Sequence, residues 1–133
     1  VIEDWKPEAA YQLTLIAGRY AVCRLPAQAE LPDWAHPEHL LSITWRAGET
    51  SIVCPERFVP PEVKAERGWR ALEVSGPLDF VLVGVLSSLL LPLAEAQVSV
   101  FVLSTFDTDL ILLPEVQLER ALGALSEAGH LVN

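Results

Sequence analysis

The sequence predicts an α+β domain on the ferredoxin-like plan, ordered strand, helix, strand, strand, helix, strand, and preceded by a shrunken half of similar layout. Two observations support this. The second half alternates β-type runs with two helical stretches, and the last of these carries a clear helical stripe. The first half holds only short β-type runs, broken by glycine and proline. Two crossovers of the same hand place the four expected strands of the second half in one antiparallel sheet, with both helices on one face. The expected division is residues 1–66 and 67–133.

In the first half, residues 11–17, 20–25, 41–46 and 50–54 read as strands. Gly18-Arg19 and Ala47-Gly48-Glu49 separate them as hairpin-like turns. Along LSITWR, Leu41, Ile43 and Trp45 point one way and Ser42, Thr44 and Arg46 the other, as in a half-buried strand. The prolines of LPAQAELPDWAHPEHL leave room for one helical turn near residues 33–35. CPERFVPPEVKAERG reads as a linker, stiffened by Pro60-Pro61.

The second half opens with WRALEVSG, a strand ending at a Gly-Pro turn. In PLDFVLVGVLSSLLLPLAEAQ, apolar content persists to Ala96, too long for a strand, and predicts a helix buried on several sides. Gly84 belongs near its start, because an interior glycine costs roughly 1 kcal/mol relative to alanine. Pro92 lacks the N–H that would bond the Ser88 carbonyl, and is expected to bend the last turns. VSVFVL and DLILL follow as strands around the loop STFDT. The final helix takes Pro114 in its first turn, Leu118, Leu122 and Leu125 as its stripe, and Gly129 as its stop. HLVN starts one last, short strand.

Composition narrows the function. The chain has 133 residues, 51% hydrophobic and 20% charged, as in an ordinary globular protein. Nine Lys+Arg against eighteen Asp+Glu give 9 − 18 = −9 at pH 7, which excludes nucleic acid and disfavours an anionic membrane surface. The longest uncharged run, residues 80–94, is interrupted by Ser87, Ser88 and Pro92 and falls short of the ~20 residues that span a bilayer. No secretory signal pattern opens the sequence, so a cytoplasmic location is expected. Cys23 and Cys54 each sit in an apolar run and read as core thiols. His36 and His39 lack further ligands at metal spacing, and with His130 they read as surface residues. Trp5, Trp34, Trp45 and Trp69 suit packing or a subunit seam. No nucleophile elbow, phosphate loop, zinc motif or dinucleotide fingerprint is present, so neither catalysis nor a cofactor is expected.

The segment from GPLDFVLVGVLSSLLLPLAEAQ through VSVFVLSTFDTDLILLPEVQLERALGALSEAGH resembles an ACT domain, with LSTFDTDLILL its most specific part. SITWRAGETSIVCPERFVP in the first half is also similar to this family. The chain resembles small bacterial proteins of paired ACT domains, themselves similar to the ACT modules of aspartate kinase and of the eukaryotic cytosolic arginine sensor. The resemblance implies a regulatory module that binds an amino acid or related metabolite where two ACT domains meet, in one chain or across a homodimer or higher homo-oligomer. It also implies that residues 76–84 form the binding loop and residues 104–109 the facing wall. Val83 stands where many relatives carry a capping hydroxyl residue, and Gln97 where many carry glycine.

Ligand chemistry assigns roles on that frame. A helix start at Val83, Gly84 and Val85 offers free N–H groups and partial positive charge to a carboxylate, and Gly84 lets the ligand approach the backbone. Asp109 is the expected partner of an ammonium group, Phe106 an apolar wall, and Asp79, Ser104, Thr105 and Asp107 complete the candidate set. The opposing view makes Gly84 a packing glycine, Phe106 a core residue and Asp109 a turn-former, leaving a ligand-free assembly module. Asp107, Asp109 and Asp79 are as readily solvated acids as ligands of a hard cation, so no metal is expected.

Overall fold

The computed structural model describes residues 10–75 and 84–133, which fall into two compact units. Residues 16–70 form one, and residues 10–15 join residues 71–75 and 84–133 in the other.

In the unit of residues 16–70, β2 (Tyr20–Leu25), β3 (Ser42–Arg46), β4 (Glu49–Pro55) and the first part of β5 (Ala65–Val74) make a sheet ordered β3-β4-β2-β5, with every neighbour antiparallel. That is the ferredoxin-like strand order. The two crossovers contain only turns and a 3-10 turn at Glu56–Phe58 where full helices would lie. They still cover one face of the sheet, because Ala35 and Val59 join Ala21, Cys23, Ile52 and Cys54 in one buried cluster. Arg46 pairs with Glu49, so the expected hairpin at Ala47-Gly48 forms. The segment read as a linker is structured instead. Cys54 and Pro55 end β4, and Ala65 and Glu66 pair with β2, their charged neighbours lying along a half-exposed strand.

The other unit contains the βαββαβ series. The end of β5 leads to α1 (Val85–Glu95), β6 (Phe101–Ser104), β7 (Asp109–Pro114), a 3-10 turn at Glu115–Gln117, α2 (Leu118–Glu127) and β8 (Leu131–Val132). Both helices cover the same face of the sheet. Val85, Leu89 and Leu93 of α1 and Ala121 and Leu125 of α2 share a buried cluster with Leu72, Val74, Ile111 and Leu113. Leu118 and Leu122 pack at its edge, completing the stripe predicted for the last helix. Leu91 is 53% exposed, so α1 is buried along one stripe and not on several sides.

One strand was assigned the wrong partner by sequence. Gly18-Arg19 makes no hairpin, because β1 (Gln12–Leu15) and β2 each pair antiparallel with a different stretch of β5. β1 lies between β5 and β8, giving the order β6-β7-β5-β1-β8 around the expected βαββαβ core. It runs parallel to β8, with the Asn133 amide donating to the Leu13 carbonyl (2.8 Å) and Leu15 to Asn133 (2.9 Å). Alternation identifies a strand but says nothing of its neighbour, which is a long-range choice. Among the described residues no helix is long and apolar enough to cross a membrane.

Candidate functional site

α1 begins at Gly84, whose φ of 83° lies in the left-handed region that side-chain-bearing residues avoid. Gly84 therefore opens the helix, as its position in the sequence suggested. The Ser88 amide and hydroxyl both donate to the Gly84 carbonyl, at 2.9 and 2.8 Å, and close the first turn. Among the described residues no side chain caps this end, and the first N–H groups of the helix, beginning with Val85, point the way an anion would need. Asp79 and Val83 lie outside the described residues.

The loop of residues 104–109 is tied together by its own side chains. The Ser104 hydroxyl donates to Asp109 Oδ1 (2.6 Å), which fixes the carboxylate at the loop-to-strand junction. The Thr105 amide donates to the Thr108 carbonyl (2.8 Å), and the Thr108 amide donates back to Thr105 Oγ1 (3.2 Å). Thr108 Oγ1 donates to the Val74 carbonyl (2.6 Å), placing the loop beside the end of β5. Phe106 is 80% exposed at the loop tip, so it is not a core residue. Asp107 is exposed and Asp109 half-buried. Among the described residues no group of three or more His, Cys, Asp or Glu side chains could hold a metal ion.

Sequence reasoning missed Ser88, Thr108 and His130. His130 is 6% exposed, not a surface residue, because Gly129 (φ 94°) ends α2 in a tight reversal that turns the next residue inward. In that reversal the His130 amide donates to the Leu125 carbonyl (3.0 Å) and the Gly129 amide to Ser126 (3.0 Å). The imidazole then meets two backbone groups. Nδ1 accepts from the Tyr11 amide at 3.1 Å, and Nε2 lies 3.0 Å from the Ser88 carbonyl. A helix reversal at a fixed glycine is a sequence signal; the partner of the residue after it is not.

The two thiols make a separate pair. Cys23 opposes Ile52 and Cys54 opposes Ala21, so the two cysteines are diagonal neighbours on one face, and both are free and buried. A hydrogen bond from the Cys54 thiol pulls Cys23 below the ordinary thiol range against its own burial, with help from the Arg67 guanidinium. The same bond, together with burial, pushes Cys54 up. On the opposite face of that sheet, Arg24, Glu49, Lys64 and Glu66 line a shallow basin of about 240 Å³, in which Arg24 already faces Glu49.

The βαββαβ order and the two helices that share one buried cluster over one face of the sheet define an α+β module of the ferredoxin-like type. A family model described as ACT domain matches residues 64–127, and a separate N-terminal domain model matches residues 18–62. A crystal structure from Agobacterium tumefaciens is 34% identical, with a TM-score of 0.88 over 94% of this chain and 93% of that one. A Vibrio cholerae structure described as a protein of unknown function and possible transport protein is 19% identical, with a TM-score of 0.71 over 90% of each chain. The regulatory subunit of aspartate kinase from Thermus flavus has the same fold at 10% identity, with a TM-score of 0.62 over 91% of this chain and 99% of that one. No curated protein matches in sequence. The chain belongs to the ACT-domain family.

Proposed function

We propose that this chain is a non-catalytic regulatory module that binds an amino acid or a closely related metabolite in the cytoplasm. The observation that carries the proposal is the start of α1, where a left-handed glycine opens a helix whose first amides are capped by no side chain among the described residues. Backbone N–H groups and the helix dipole there suit an α-carboxylate. Asp109, oriented by Ser104, supplies the charge that an α-ammonium group needs, and Phe106 supplies apolar surface. Asp79, Val83, Thr105 and Asp107 complete the proposed site. In this reading the ligand sits where the ACT domains of two copies of this chain meet. Binding stabilises one arrangement of a homo-oligomer and so reports metabolite level by population shift. A non-catalytic role is supported by His130, both of whose ring nitrogens face backbone partners and leave none to activate a nucleophile. The test is a thermal-shift screen of free amino acids. Ligand at ~100 times its dissociation constant adds ~2.7 kcal/mol, and a panel that leaves the midpoint unmoved would end the proposal.

A second reading, a ligand-free assembly module, draws on the apolar surface of the unit with the βαββαβ series. Leu91 is 53% exposed, Val116 94% and Leu131 53%. Light scattering after size exclusion separates the two, since only the assembly reading requires an oligomer that is indifferent to amino acids.

A further inference from the structure

Pro92 sits inside α1 and has no N–H, so the Ser88 carbonyl four residues earlier loses its intrahelical donor. Ser88 is 5% exposed, where an unpartnered carbonyl is costly. The donor comes from elsewhere in the fold. The Tyr11 amide can only donate, so the His130 Nδ1 that accepts from it is bare and the ring proton lies on Nε2. Nε2–H therefore donates to the Ser88 carbonyl. The same Ser88 closes the first turn of α1 through its amide and hydroxyl, both on the Gly84 carbonyl. One residue after His130, the Leu131 amide donates to the Tyr11 carbonyl (3.0 Å), so the ring sits where β8 meets the β1 edge.

We propose that Pro92 and His130 act as one device: the proline vacates the Ser88 carbonyl, and the histidine occupies it and positions the start of α1 against the β1–β8 edge. His130 is thus a positioning residue for the helix end that the amino-acid site uses, a clause that rests on the proposed function. The bonding itself does not. An alanine at 92 would supply the missing N–H within the helix, so the need for His130 depends on the proline.

The test is a double-mutant cycle of His130→Leu and Pro92→Ala on the full chain, read in buffer alone by thermal melting. His130→Leu strands the Tyr11 amide and the Ser88 carbonyl, and is expected to lower the midpoint by roughly 10 °C. Pro92→Ala is expected to raise the midpoint of the Leu variant well beyond any gain it gives the natural sequence. His130→Gln, which keeps a donor at the Nε2 position, is expected to recover part of the loss. Amide exchange is expected to accelerate about tenfold more at Ser88 and Leu89 than at Leu122 of α2 in the Leu variant. Imidazole nitrogen shifts of the unmodified protein supply a readout that needs no variant, with Nδ1 unprotonated and Nε2 protonated. Equal effects of Pro92→Ala in both backgrounds, uniform loss of protection, or a ring proton on Nδ1 would each overturn the device. A protein that ignores every amino acid defeats the ligand reading alone, because the cycle contains no ligand.

Discussion

The hydroxyl of Thr108 donates to the carbonyl of Val74 at 2.6 Å, and this bond holds the 104–109 loop against the end of β5. Thr108→Val keeps the shape and removes the donor. It is expected to destabilise the fold by about 1–2 kcal/mol, because a part-buried carbonyl loses its partner. Urea unfolding measures this, and an unchanged midpoint would show that the loop is held by other contacts. The same variant is expected to weaken the thermal response to an amino acid.

Asp109 bears on the site more than on stability. Its carboxylate accepts from Ser104 on a half-exposed loop, so Asp109→Ala is expected to cost no more than about 1 kcal/mol. The response to an amino acid is expected to disappear. A variant that responds as the natural sequence does would remove Asp109 from the site.

Gln97 adopts a φ of 59° just past α1, with its amide on the Ala94 carbonyl and the Val98 amide on the Leu93 carbonyl. This is the helix reversal in which glycine is usual. The side chain is exposed, so little packing is lost on removing it. Gln97→Gly is expected to stabilise the protein by about 1 kcal/mol; a lower melting temperature would contradict this account of the turn.

The thiol pair sets a pH dependence whose sign follows from proton counts. Above the ordinary thiol value of 9.0 the unfolded chain releases both protons, while the folded pair retains the one on Cys54, whose value is raised. The folded state then binds more protons, and stability falls as pH rises. Below 9.0 the lowered Cys23 ionises first in the folded state, so there stability rises with pH. Cys54→Ala removes the hydrogen bond, and the stability difference between the two proteins is expected to peak near 9.0 and decline on both sides. Under partial denaturation Cys23 is expected to alkylate before Cys54, which peptide mass spectrometry resolves.

Much of the βαββαβ unit was legible because its signals are local. Leu118, Leu122 and Leu125 mark a face, Gly84 and Gly129 mark helix ends, and both glycines have left-handed φ. What escaped was partnership. Residues 12–15 announce a strand but not that it lies between β5 and β8, and AERG conceals the first part of β5 behind its charges. His130 looked like a terminal surface residue because its two partners, Tyr11 and Ser88, are 119 and 42 positions away. At the candidate site, Gly84 and Asp109 could be nominated from sequence, whereas the role of Thr108 depends on the Val74 carbonyl and that of Ser88 on the His130 ring, partners that only the fold brings near.

Isothermal calorimetry of the unaltered protein against individual amino acids, repeated with Gly84→Ala, addresses the main proposal most directly. Saturable binding of at least one amino acid is expected, with affinity lost when a methyl group is forced onto the left-handed residue at the helix start. Absence of heat with every amino acid, or binding that Gly84→Ala leaves intact in a folded protein, would contradict it.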